Sequence, residues 1–284
     1  MEGLNVEWIP IRLLVPSIWS TGNSIGIKDI MERKIMNEEI QFREYMEELA
    51  RRHERSKVYV DFMDYYISKN SESPGIKQIS DYNDTEMKLF DNAYTSFVSL
   101  MNEYLKQTDW KDFIGEYYEE YILAGSKASG KGQFYTPQEV SDLLSKVVGQ
   151  PVVLSEAYDA ACGSARNLLD YHSKHRDIRC TGEDLDESAC KMAVINFHIH
   201  GVNGVVNWID ALTREYMGTS WRIVEDKIYV TDMDMIRTMD EIMASVNLLS
   251  MSDETLGRLM KLIKEQCPIE SDESKGGLDA WFKT

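Results

Sequence analysis

The stretch "AYDAACGSARNLLD", residues 157–170, decides how the chain is read. A short apolar run enters a Gly-Ser turn and leaves as an amphipathic helix. Strand, tight turn and helix N-terminus together present backbone N–H groups to a ligand. Working outward, a strand is expected within 152–158 and a helix over roughly 165–175. "IRCTGEDLD" (178–186) reads as a second strand ending in acids. "ESACKMAVINFHIHG" follows as a second helix closed by Gly201, and "VVNWID" (205–210) as a third strand. This β-α-β-α-β alternation is one half of a doubly wound α/β sheet.

In such a sheet, ligands bind at the carboxyl ends of the strands. Three features converge there: Asp159, Gly163 and Ser164 in the first turn, Glu183-Asp184 at the end of the second strand, and Asp210 at the end of the third. Glycine lets a ligand approach the backbone. An acid ending the second strand can accept hydrogen bonds from ribose hydroxyls, and the third acid can accept from an exocyclic amine. An acidic pocket with neither a GxGxxG loop nor a Walker lysine disfavours a phosphorylated nucleotide. A cationic adenosine ligand fits better, and S-adenosylmethionine is the obvious one.

Upstream, "AGSKASGKGQ" reads as a loop. "TPQEV" then starts a helix, with Thr136 as N-cap, Pro137 in the first helical position and Glu139 three residues after the cap. Val140, Leu143, Leu144, Val147 and Val148 are expected to be its buried stripe. Residues 1–120 read as helical, with apolar residues at helix-like intervals in "IQFREYMEELARRH" and "VYVDFMDYYI". Residues 70–83 read as a connector. Asn83 and Glu86 stand at capping-box spacing before a long amphipathic helix carrying Met87, Phe90, Tyr94, Phe97, Met101 and Tyr104.

The 284 residues suffice for one large domain or two modest ones. No apolar run approaches the roughly 20 residues of a membrane helix and no signal-peptide layout is seen, so a cytoplasmic location without membrane contact is expected. Four cysteines without CxxC spacing read as buried free thiols and suggest neither zinc nor a disulfide framework. His172 and His175 lack an evident third ligand, and no metal is expected. His198 and His200 read as helix-end residues, and Trp208 and Trp221 as core or rim. With 31 Lys+Arg against 48 Asp+Glu, the net charge is −17. A self-sufficient DNA binder usually shows a basic face, and "ELARRHERSK" (48–57) reads only as a solvated helix face.

The segment "DFIGEYYEEYILAGSKASGKGQFYTPQEVSDLL" followed by "AYDAACGSARNLL" resembles N6-adenine DNA methyltransferases, in particular the methylation subunits of type I restriction-modification systems. The resemblance covers roughly residues 112–212. The family's GxFYTP segment stands intact at 132–137, and its DPACGSG loop is represented by Asp159–Ala165. The resemblance implies a Rossmann-like S-adenosylmethionine-dependent methyltransferase core with an N-terminal helical domain. It also implies that Phe134, Tyr135, Thr136 and Pro137 close over the methionine end of the cofactor. Asp159, Cys162, Gly163 and Ser164 belong to the loop, Asp184 would bind the ribose and Asp210 the adenine. Ala160 replaces the loop proline and Ala165 the final glycine. An Ala where φ > 0 is required is costly and weakens or reshapes the loop.

The family grips the target amine with an (Asn/Asp/Ser)-Pro-Pro-(Tyr/Phe) motif after the fourth strand, the aromatic stacking on a flipped base. None of the six prolines here is adjacent to another, so no catalytic residues are assigned. "SWRIVEDKIYVTD" (220–232) reads as a hairpin around Glu225-Asp226-Lys227, and a truncated sheet is expected. The sequence divides into a helical domain (1–120), a cofactor-binding core (121–232) and C-terminal helices with an acidic tail (233–284). Two functions compete. One is an S-adenosylmethionine-binding, N6-adenine DNA methyltransferase-like protein that reaches DNA through a separate recognition subunit and whose isolated chain lacks the means to methylate. The other is a non-catalytic interaction or regulatory protein on a degenerate core: a partner subunit, a homo-oligomer or an acidic decoy. Methylation of a non-DNA acceptor meets the same amine-steering problem.

Overall fold

The computed structural model describes residues 24–73, 79–123, 136–149 and 156–232, all within one compact unit spanning Met1–Met233. The helices expected around Met235–Ile263, Cys267 and the acidic tail lie outside the described residues.

Three long helices come first: α1 (Ser24–Ala50), α2 (Arg55–Asn70) and α3 (Asp84–Leu105). The start of α3 is fixed by the expected capping box. Asn83 Oδ1 accepts from the N–H groups of Thr85 and Glu86 at 2.9 and 3.0 Å, and Glu86 Oε2 accepts from Asn83 N–H at 2.9 Å. Helical spacing then aims Phe90, Phe97 and Met101 inward, where α3 packs on α1. Phe42 of α1 sits at the centre of an aromatic cluster, its ring 5.2–5.7 Å from those of Phe62, Phe97, Phe113 and Tyr117. Such tilted and edge-on contacts suit the ring quadrupoles. A short helix α4 (Phe113–Tyr117) runs into a π-helical turn, Tyr118–Leu123.

The second half alternates α5 (Gln138–Val148), β1 (Glu156–Asp159), α6 (Arg166–Lys174), β2 (Arg179–Asp184), α7 (Glu187–His200), β3 (Gly204–Asp210), β4 (Glu215–Val224) and β5 (Lys227–Asp232). The five strands form a mixed sheet in the order β1-β2-β3-β4-β5. The first three are parallel. The last two form the expected antiparallel hairpin, turning at Glu225 and Asp226, with Glu225 at φ 57°.

Both crossover helices lie on one face of the sheet. A Cβ at Gly182 would meet Cys162 and Leu168, while one at Gly204 would meet Phe197 of α7. Cys180 and Gly182 of β2 stand in register with Gly204 and Val206 of β3, so α6 and α7 share a side. One half of a doubly wound sheet, as read from the sequence, carries its crossover helices in this way. Among the described residues only one face is covered, because sequential strands joined by right-handed crossovers place every helix on the same side. Behind α7 lies α2, so the helical half and the sheet share one continuous hydrophobic core. Buried polar pairs cross that seam: Lys191 Nζ meets Asp64 at 2.7 Å, and Tyr66 Oη lies 2.8 Å from His198 Nδ1.

The stripe on α5 departs from expectation. Val140, Leu143, Leu144, Val147 and Val148 are 42–75% exposed, whereas Ser141 and Ser145 are buried. The reason is polar: Ser141 Oγ donates to Asn167 Oδ1 at 2.9 Å, and Ser145 Oγ donates to the buried carboxylate of Asp170. These bonds seat the serine face of α5 on α6 and turn the aliphatic stripe outward. The helix also begins one residue later than read, at Gln138, with Pro137 rather than Thr136 in the capping position and no side-chain cap.

Candidate functional site

The turn between β1 and α6 is built by backbone conformations that the sequence foretells. Gly163 has φ 55° and Ala165 φ 72°, ψ 24°, so the alanine occupying the family's final glycine position is held in the left-handed region. That conformation costs a non-glycine residue about 1 kcal/mol. Ala165→Gly is therefore expected to stabilise the protein by at most about 0.5 kcal/mol, after allowing for the added freedom of the unfolded chain. A urea-denaturation comparison checks it, and a loss of stability contradicts the strained loop.

The acids sort themselves by face. Asp184 points to the turn: its Oδ2 accepts from Gly163 N–H at 2.8 Å and its Oδ1 from Asp186 N–H at 2.9 Å. Burial raises its pKa, with those two N–H groups pulling the other way. Glu183, one residue earlier, faces the opposite side of the sheet. There it is buried and accepts from Tyr158 Oη and Arg214 Nη1, both at 2.6 Å. Asp159 at the end of β1 accepts from Ala161 N–H at 3.1 Å and Asn167 Nδ2 at 3.3 Å. Asp210 at the end of β3 is half-buried and accepts from the N–H groups of Thr213 and Leu212, which lower its pKa. Asp159, Gly163, Asp184 and Asp210 thus line the carboxyl edge of three adjacent parallel strands.

Two other turn residues look inward. The Cys162 thiol is buried, and burial pushes its pKa up strongly. Ser164 is also buried, its hydroxyl donating to Asp112 Oδ2 at 2.5 Å. Phe134 and Tyr135 lie outside the described residues. Thr136 is placed beside the turn, its carbonyl accepting from Arg166 Nη1 at 3.3 Å, and Pro137 opens α5. The other described thiols, Cys180 and Cys190, are free and buried. His200 and His198 are buried at the end of α7, Trp221 is core, and the Trp208 indole N–H donates to Leu185 O at 3.0 Å.

The sequence reading missed the group that braces the turn. Asp112 is 1% exposed. Its Oδ1 accepts from Asn196 Nδ2 and Gly115 N–H, each at 2.8 Å, and its Oδ2 from Ser164 Oγ and Arg166 Nε, each at 2.5 Å. Arg166 continues to Glu119 at 2.5 Å. The carboxylate rests where a side chain on residue 115 would lie, which is why that position is glycine. The signal was present in "DFIGEY": an acid three residues before a glycine at a helix start, where it also caps α4.

A mixed α/β sheet with a Gly-Ser turn after its first strand and an acid ending each of the next two fits a methyltransferase-like fold. Residues 109–247 match the model of the N-6 DNA Methylase family. The chain is also similar to the Type I restriction enzyme MpnII methylase subunit of Mycoplasma pneumoniae (strain ATCC 29342 / M129 / Subtype 1), at 26% identity over 117 residues. That likeness covers 37% of this chain and 22% of the relative, so the chain spans only about a fifth of that relative's length. No solved structure matches the chain.

Proposed function

We propose that the chain is an S-adenosylmethionine-binding, N6-adenine DNA methyltransferase-like protein of the type I modification-subunit kind. In this reading residues 121–232 are its Rossmann-like core, 1–120 its helical domain and 233–284 a C-terminal extension. The observation that carries it is the Asp184 carboxylate, held against the Gly163 turn at the carboxyl edge of the sheet. Its partners on Gly163 and Asp186 leave acceptor capacity on both oxygens for ribose hydroxyls. Asp210 would take the adenine amine. Phe134, Tyr135, Thr136 and Pro137 would cover the methionine end, and the Asp159–Ser164 turn would frame the ligand. The acidic surroundings suit a sulfonium cation, and the bound cofactor would supply an electrophilic methyl group.

Transfer to DNA is a separate matter. The antiparallel β4–β5 hairpin follows β3 directly, and no Pro-Pro pair occurs in the sequence to hold an amine. The isolated chain therefore binds cofactor without methylating, and it meets DNA through a separate recognition subunit in the cytoplasm. No described helix is long and apolar enough to cross a membrane. The hairpin also favours a second reading, a non-catalytic partner or regulatory protein on the same core.

Calorimetry separates the two. Wild-type chain should take up S-adenosylmethionine. Asp184→Ala should bind it at least tenfold more weakly, because losing a hydrogen bond to a charged group costs about 1.5–3 kcal/mol. No heat with wild type at millimolar ligand leaves the interaction reading standing alone. Incorporation of labelled methyl groups into mixed-sequence DNA by the isolated chain would contradict the missing amine grip.

A further inference from the structure

We infer that the exposed aliphatic face of α5 is a self-association surface, on which two copies of the chain pair through their α5 helices in antiparallel orientation. The inference is independent of cofactor binding. Val140, Leu143, Leu144, Val147 and Val148 recur at the spacing of one continuous stripe, and all five are exposed. A helix buries such a stripe against a partner, and α6 does not serve, because it holds the opposite serine face through Asn167 and Asp170.

Charge selects the occupant and its direction. With Val140 and Val147 as successive a positions and Leu143 as d, Glu139 and Lys146 fall at successive g positions flanking the seam. When two such helices run antiparallel, the g positions of one face those of the other, so Glu139 of each copy stands opposite Lys146 of its mate. A parallel pair would instead set Glu139 against the aliphatic Leu144 of its mate and leave Lys146 with no counterpart within α5. Antiparallel pairing also sets each helix N-terminus beside the other's C-terminus, which suits their dipoles. Lys146 already bonds Asp142 at 2.5 Å, and an ammonium has donors for a second carboxylate. The stripe exposes roughly 450 Å² per copy, within the range of functional patches. Pairing buries about 900 Å² in all, below the ~1,600 Å² of a standard interface. With a net charge of −17 on each copy, the dimer is weak and reversible, and salt strengthens it by screening the overall repulsion.

Sedimentation velocity on the full chain tests this. The expected result is a monomer–dimer equilibrium with a dissociation constant on the order of 10–100 µM. Leu143→Glu or Val147→Glu should abolish it. Both sites are exposed, and unchanged circular dichroism and melting would show the fold intact. Glu139→Lys and Lys146→Glu should each weaken the dimer about fivefold, and the double exchange should restore it to within about twofold. A chain that stays monomeric at several hundred micromolar overturns the proposal. So does a dimer indifferent to Val147→Glu, or a double exchange that fails to rescue.

Discussion

Asp112→Ala is expected to cost about 3–5 kcal/mol of stability, because removing one partner of a buried ion pair leaves the other charge uncompensated. The carboxylate is 1% exposed and takes four donors from three parts of the chain. Without it, the Ser164 hydroxyl and the Asn196 amide each lose a buried acceptor. Arg166 keeps Glu119, whose side chain is 36% exposed, and the Thr136 carbonyl. The effect reaches the site, since Ser164 and Arg166 bracket the left-handed Ala165 and only the packed surroundings hold that residue in place. Asp112→Asn keeps one acceptor oxygen but loses the charge, and about 2 kcal/mol is expected. Urea denaturation measures both. The Ala variant should melt roughly 10 °C lower. A loss below about 1 kcal/mol would show that the network does not brace the turn.

This network also shows where reading the sequence reaches its limit. Strands, crossover helices and hairpin were legible because period 2 and period 3.6 are local signals, punctuated by Gly163, Gly201 and the Asn83 cap. The strain at Ala165 was legible too, since the turn demands a conformation whatever residue fills it. The contacts of Asp112 were not. Its partners Ser164 and Asn196 lie 52 and 84 residues away, and no local pattern encodes such pairings. On α5 the periodicity correctly marked an apolar stripe, but amphipathicity says only that a stripe wants cover, not which neighbour provides it. Two serines competing for Asn167 and Asp170 decided which face met α6. Of the acids ending β2, strand alternation requires that one face away from the turn, and only the structure shows it is Glu183.

Stability is expected to fall as the solution is acidified from neutrality, with His200 a principal cause. Burial lowers its pKa from the ordinary 6.5 to about 4, and the positive charge of Arg176 adds to the effect. The tautomer follows from the contacts. Lys111 N–H points at Nε2 from 3.1 Å, so Nε2 must be the bare acceptor, and Nδ1 carries the hydrogen donated to Asn196 O at 2.6 Å. Protonation would set an N–H against an N–H inside the core. A histidine whose folded pKa is depressed contributes stability that is fully present above the unfolded value and is lost as pH falls toward the folded one. The window therefore runs from about pH 6.5 down to 4, and the loss reaches about 2 kcal/mol by pH 5 and roughly 3 by pH 4. His198 is shifted the same way, mainly by burial, and adds to the slope. The carboxylates with lowered pKa, Asp91 and Glu103 among them, lose their contribution only at lower pH, and Asp184, whose pKa burial raises, acts in the opposite direction, so a fall in stability over 6.5–5 comes from the histidines. Urea denaturation at pH 7.5, 6 and 5 reads the slope directly. His200→Gln can keep both hydrogen bonds without titrating, and it should flatten that slope to the part His198 supplies. A variant as acid-sensitive as wild type over this range would mean that His200 is not held neutral in the folded protein.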